Sequence, residues 1–149
     1  MAQKPTALIV DLSQVSILTE IIIRAGNVAD PQNRAHTKAA YEPDERYDNQ
    51  VIGLSVVFRR GATLDELAST ASFPNRKLGY TSVGVLSQEL ASIGCAPVLF
   101  ITPTGRFLDH HTLAFTRRGA IEESLADDAL DALIRALLMV DNPYQVMRA

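Results

Sequence analysis

Residues 51–61, VIGLSVVFRRG, carry the alternation of an extended strand. Ile52, Leu54, Val56 and Phe58 fall on one face and Ser55, Val57 and Arg59 on the other, the period-two pattern of a strand backed by a core. TLDE (63–66) follows, with Thr63 and Glu66 at the spacing of a capping box, so a short helix runs to about Ser69. A strand leading into a helix sets an α/β or α+β reading, which the flanking sequence extends in both directions.

Downstream, FPNRKLG is a loop and SVGVLSQELASIG (82–94) an amphipathic helix, with Val83, Leu86, Leu90 and Ile93 at helical spacing and Gly94 as its stop. PVLFIT (97–102) and HTLAFT (111–116) read as strands joined through a turn at Pro103–Gly105. AIEESLADDALDALIRALLMV (120–140) predicts a long C-terminal helix with Ile121, Leu125, Leu130, Leu133, Leu137 and Val140 along its apolar stripe, closed by Asn142-Pro143. Upstream, TALIVDL (6–12) has the composition of a buried strand. SQVSILTEIIIRAG (13–26) holds two signals: Val15, Leu18, Ile22 and Ala25 keep helical spacing between a Ser13 cap and Gly26, while Ile21–Ile23 favour extended chain. Helix is the reading carried forward. Residues 27–50 show no sustained apolar period and read as a long connection. The expected fold is α/β or α+β: one domain over 1–149, a mixed sheet of four to five strands, three to four helices, and the long C-terminal helix packed on the sheet.

Composition agrees with one globular domain: 149 residues, 47% apolar and 21% charged. A net charge of −3 argues against a nucleic-acid partner, which calls for a basic face. The single Cys95 excludes an intrachain disulfide and a cysteine-based zinc cluster. No charged-then-apolar leader is present and no apolar run approaches the roughly 20 residues of a membrane span, so a cytoplasmic location without membrane contact is expected.

Three local groups could carry chemistry. Asp109-His110-His111 opens the 111–116 strand. Adjacent strand residues point to opposite faces, so the two histidines cannot grip one metal, and no metal site is expected. The cluster reads as a polar strand entry with one histidine half-buried; a catalytic histidine, or a Cys95–His110 nucleophile pair, is the alternative. Asp11, at the end of its expected strand, is placed either for catalysis or for capping the next segment.

A distributed pattern covers more of the chain. The order VVFRRGATLDELA, LGYTSVGVLSQELA, PVLFITPTGRFLDHHTLAF (about residues 51–116) resembles the arginine–serine–glutamate class of ADP-ribosyltransferases. In that family a first strand ends in an arginine followed closely by glycine. A strand with a Ser-Thr-Ser-like element then runs into a helix, and a later Gly-Arg segment leads to a Glu-x-Glu loop. The resemblance implies NAD as cofactor and an NAD-binding transferase domain of the kind found as small bacterial effectors or toxins. It implies catalytic roles for Arg59, Ser82 and Glu122 or Glu123, and NAD contacts from Arg60, Gly61, Thr81 and Arg106. An arginine fork suits the pyrophosphate, and a hydroxyl at Ser82 could orient the ribose or the arginine. The chain reads TRRGAIEE where the family has Glu-x-Glu, so Glu122 and Glu123 stand a few residues late. The alternative expectation is a non-catalytic, self-associating interaction subunit, with a protein partner or homo-oligomer suggested by the apolar content of 15–25 and of the last helix.

Overall fold

Three consecutive isoleucines decide the first strand. In the computed structural model, which describes residues 3–25, 33–71, 77–105 and 107–141, Ile21–Ala25 form β1, and the chain before them makes a 3₁₀ turn at Val15–Ile17. The helix expected over 13–26 is thus a turn and a strand. Stiff β-branched side chains at 21–23 outweigh the helical spacing around them. Gly26, its predicted cap, lies outside the described residues.

α1 (Arg34–Ala40) and the short β2 (Glu42–Pro43) fall inside the stretch read as a connection. β3 (Ile52–Phe58) and α2 (Leu64–Ala71) come next. The capping box forms at the start of α2: Glu66 N donates to Thr63 Oγ1 at 3.2 Å, and Thr63 N donates to Glu66 Oε1 at 3.4 Å. β4 (Lys77–Ser82) runs directly into α3 (Val83–Ala91), whose first turn is capped by Ser82. β5 (Cys95–Ile101), β6 (His110–Arg117), β7 (Ala120–Ile121), α4 (Asp127–Ala136) and β8 (Leu138–Asp141) complete the order.

The strands form one eight-stranded sheet in the order β5-β6-β3-β1-β4-β8, with β2 beside β3 and β7 beside β6. Every neighbouring pair is antiparallel. This corrects the expected mixed sheet of four to five strands; the class is α+β. Which edges meet is a property of the whole chain, and residue periodicity holds no record of it.

The long C-terminal helix is corrected too. α4 spans ten residues. Gly119, at φ +79, turns the chain so that Ala120–Ile121 pair back on β6. At the other end Leu137 leaves helical geometry (φ −82, ψ 132), and Leu138–Asp141 take up the edge of β4. As helix the run would satisfy only its own backbone; as a strand it also pairs the open edge of β4. The 6–12 run, expected as a strand, contributes one bridge, Ile9 to Phe100, along the outer edge of β5. No helix among the described residues is long and apolar enough to cross a membrane.

The two faces of the sheet are covered differently. One carries the main core: Ile22, Leu54, Val56, Phe58, Leu99, Leu113 and Phe115 pack against Val83, Leu86 and Leu90 of α3 and Leu130 and Leu133 of α4. Tyr41 ties α1 into this core. Its Oη donates to the Glu122 carbonyl at 2.8 Å and accepts from Phe115 N at 3.2 Å. Tyr41→Phe strands both backbone groups, and we expect a loss of about 1–3 kcal/mol in chemical denaturation; an unchanged midpoint would contradict it.

The second face bears two smaller clusters. One joins Ile23 and Leu78 to Leu67 and Ala68 of α2, and the other joins Phe100 and Ala114 to Ala7 and Val51. At the centre of β3, on this face, Ser55 is exposed.

Candidate functional site

The residues singled out by the family resemblance fall at two ends of the sheet. Ile22 of β1 pairs with Phe58 on one side and Thr81 on the other, so Arg59 and Ser82 end two strands that flank β1. Both are engaged. Arg59 reaches the solvent-facing Glu66 Oε2 at 3.3 Å and the half-buried Asp109 Oδ2 at 3.6 Å. Ser82 Oγ accepts from Val85 N at 3.1 Å as the α3 cap. Arg60 donates to Ser16 Oγ at 2.6 Å and to Gln14 Oε1. Gly61 N donates to Glu20 Oε2 at 2.8 Å, and Thr81 is buried. Arg106 lies outside the described residues.

Glu122 and Glu123 sit elsewhere. His110 pairs with Val57, next to Arg59, whereas Arg117 at the far end of β6 pairs with Cys95. Seven residues of strand at about 3.3 Å each put roughly 23 Å between the two ends. Glu122 lies at that far end, bound to Arg117 Nε at 2.5 Å, and Arg117 also holds Asp128 at 2.7 Å. Glu123 is exposed. The arginine–serine end and the glutamates therefore do not meet.

The three local groups resolve in the same way. Asp11 Oδ1 accepts from the Ser13 hydroxyl and backbone N–H, which hold its carboxyl below the usual range. Cys95 is buried at the Arg117 end, remote from His110, and burial pushes its thiol up. Among the described residues no group of three or more His, Cys, Asp or Glu could hold a metal.

His111 and His110 point to opposite faces. His111 is buried in the main core, its ring edge-on to Phe58 at 5.3 Å, with Nδ1 2.8 Å from the Asp109 carbonyl. Burial lowers its pKa from the ordinary 6.5, with Asp109 opposing. The unfolded chain therefore binds this proton first: stability is full above about pH 6.5 and falls as pH drops through the folded value. Asp11, Asp44, Asp127 and Asp128, held low by their partners, lose their contributions only further down, below about pH 4. Urea midpoints should fall between pH 7.5 and 5.5 in the wild type and much less in His111→Phe. Equal slopes in the two proteins would refute the assignment.

Sequence reasoning missed a different group. Arg24, on β1, lies just past the point where β1 leaves β3: their pairing covers only Ile22 and Ile23, while β1 pairs with β4 at all five positions. Its Nη1 donates to the Ser55 carbonyl at 2.8 Å, where a further rung of the ladder would come. The side chain is half-buried, and Nε is buried with no hydrogen-bond partner. No carboxylate among the described residues pairs with it, and burial alone lowers its pKa. A guanidinium stays charged in proteins, so this is an uncompensated cation set into the sheet.

Ser55 itself is exposed, with no partner for its hydroxyl among the described residues. Across the β3–β6 ladder it faces Thr112, and His110 is its diagonal neighbour on the same face. Thr102, fully buried, links the two: its Oγ1 lies 2.9 Å from Thr112 Oγ1 and 3.0 Å from His110 Nδ1. Asp44 stands nearby, held low by Arg46 with a smaller contribution from His110. One signal pointed here, a lone arginine closing an isoleucine run; the Arg24–Ser55 contact joins residues 31 apart in sequence.

Compared with protein-family models, curated proteins and solved structures, the chain finds no match.

Proposed function

We propose that this chain is an NAD-binding domain of the ADP-ribosyltransferase-like kind, with the arginine role taken by Arg24 rather than Arg59. The observation that carries the reading is the guanidinium of Arg24: half-buried, held by one carbonyl, its Nε without a partner, and no carboxylate beside it among the described residues. A cation so placed fits an anion with several oxygens, and a pyrophosphate can take two of its N–H groups at once. Arg59 lacks this character, since two acids already answer its charge.

The motif behind the resemblance supports the same shift. An arginine near the end of a first strand, followed closely by glycine, describes Arg24-Ala25-Gly26. Bound NAD would supply a pyrophosphate for Arg24. Glu122 and Glu123, committed to the far end, do not serve this gap, so binding is the activity proposed.

Calorimetric titration of the full chain with NAD⁺ tests the reading. Saturable binding is expected at or below about 1 mM, a threshold of about 4 kcal/mol, with inorganic pyrophosphate competing. No heat of binding, or binding untouched by pyrophosphate, would remove it.

A further inference from the structure

We infer that the second face of the sheet holds a binding site for a neutral, polyhydroxylated ligand of the sugar class, built on Ser55, Thr112 and His110. It stands apart from the NAD reading. Strand alternation puts Arg24 beside Ile22 on the main-core face and these three residues on the other.

The register lays this face out in rows. Val57 lies beside His110, and Ser55 beside Thr112, which in turn pairs with Phe100. Val57 packs with Ile23 into one apolar cluster, and Phe100 packs with Ala114 and Tyr47 into the other. A polar band of Ser55, Thr112, His110 and Thr102 therefore runs diagonally between two apolar patches. Such a band suits a ligand with hydroxyls at its edge and C–H groups on its faces.

The band is a hydrogen-bonded relay with an open group at each end. His110 Nδ1 lies 2.7 Å from the Thr102 carbonyl oxygen. A carbonyl only accepts, so Nδ1 carries the proton and donates it. The neutral ring then bears its lone pair on Nε2, which has no partner among the described residues. Thr102 Oγ1 and Thr112 Oγ1, 2.9 Å apart, share one of their two protons. Thr102 is fully buried, so leaving no proton stranded there requires Thr102 to donate. The spare proton is then on Thr112, directly opposite the exposed Ser55 hydroxyl. Hydroxyl donors thus stand at one end and a fixed acceptor at the other, about 7 Å apart across the ladder diagonal. A vicinal diol with a hydrogen bond of about 2.8 Å at each end bridges that gap. Charge selects against an anion. Arg46, the cation beside the band, commits Nε and Nη2 to Asp44 and Nη1 to the Pro103 carbonyl.

Nitrogen-15 NMR of the full chain tests the site, with D-glucose, D-galactose, D-mannose and D-ribose as probes and inorganic phosphate as the counter-probe. At least one sugar should move His110 Nε2 saturably in the millimolar range, and phosphate should leave it in place. Ser55→Ala and His110→Leu should each weaken that sugar about tenfold, and His110→Gln, whose amide oxygen still accepts, should recover part of the loss. Ser55 is exposed, so its variant keeps the fold. Arg24→Ala should bind the sugar as well as the wild type. The inference is overturned if no sugar moves Nε2 up to about 100 mM, or if phosphate moves it instead. Ser55→Ala and His110→Leu both binding as tightly as the wild type would overturn it too. Each of these results leaves the NAD reading, tested at Arg24, where it stands.

Discussion

Replacing Arg24 with alanine should lower NAD⁺ affinity by about 30- to 100-fold, the loss of a charge-assisted, two-pronged contact worth about 2–3 kcal/mol. The fold should tolerate the change. The substitution gives up one hydrogen bond to the Ser55 carbonyl, but it also removes a cation whose desolvation no carboxylate among the described residues offsets. A midpoint within about 1 kcal/mol of wild type is expected. Arg24→Lys should recover little, because an ammonium cannot present two parallel donors. Arg59→Ala is the matched control: its guanidinium and Glu66 are solvent-facing and its contact with the half-buried Asp109 is long at 3.6 Å, so it should cost less than about 1 kcal/mol and leave binding alone. Were Arg24 only structural, the pattern would invert, with stability lost and affinity kept.

Gly53→Ala should have the largest effect on stability. β3 and β6 approach so closely there that a Cβ would lie 2.2 Å from the Leu113 carbonyl oxygen and 2.6 Å from its carbon. Both atoms are backbone, in the ladder that pairs Leu54 with Leu113 at the centre of the sheet. No rotamer relieves the clash; the strands must separate. A loss of about 3 kcal/mol or more is expected, which lowers the melting temperature by roughly 10 °C. Gly61→Ala is the contrast: a left-handed φ of +81 but open space around the added carbon, costing only about 1 kcal/mol. Thermal unfolding of the two variants side by side checks the ranking, and a Gly53→Ala protein as stable as Gly61→Ala would refute the close approach.

These effects divide along the line between what residue order reveals and what folding adds. β3, β6, the Thr63–Glu66 box and the α3 helix were readable because each is a local pattern of a few residues, although the cap that Ser82 gives α3 was not read. The stretch 120–140 misled because its apolar spacing is helical throughout, and only the free edge of β4 turns Leu138–Asp141 into a strand. Ile21–Ile23 satisfied two periods at once; the choice fell to neighbours 36 and 61 residues away, as Ile22 meets Phe58 and Ile21 meets Ser82. Strand order, and with it the α+β class, is non-local in the same sense. The site follows suit. Arg59 and Ser82 stood out by motif yet are used by surface ion pairs and a helix cap. Arg24 looked like the end of an apolar run, and only the early parting of β1 from β3 brings it to Ser55. His110 was noticeable from its neighbours, but the contact that fixes its ring comes from Thr102, eight residues back and just past the adjoining strand.

The most direct measurement is the Nε–Hε resonance of Arg24 followed during an NAD⁺ titration of the wild-type chain. The uncompensated guanidinium should shift progressively and saturate below about 1 mM NAD⁺, while the Arg59 and Arg117 signals stay where they are. An Arg24 resonance that does not move at saturating NAD⁺, or a shift shared equally by all the arginines, would contradict the account.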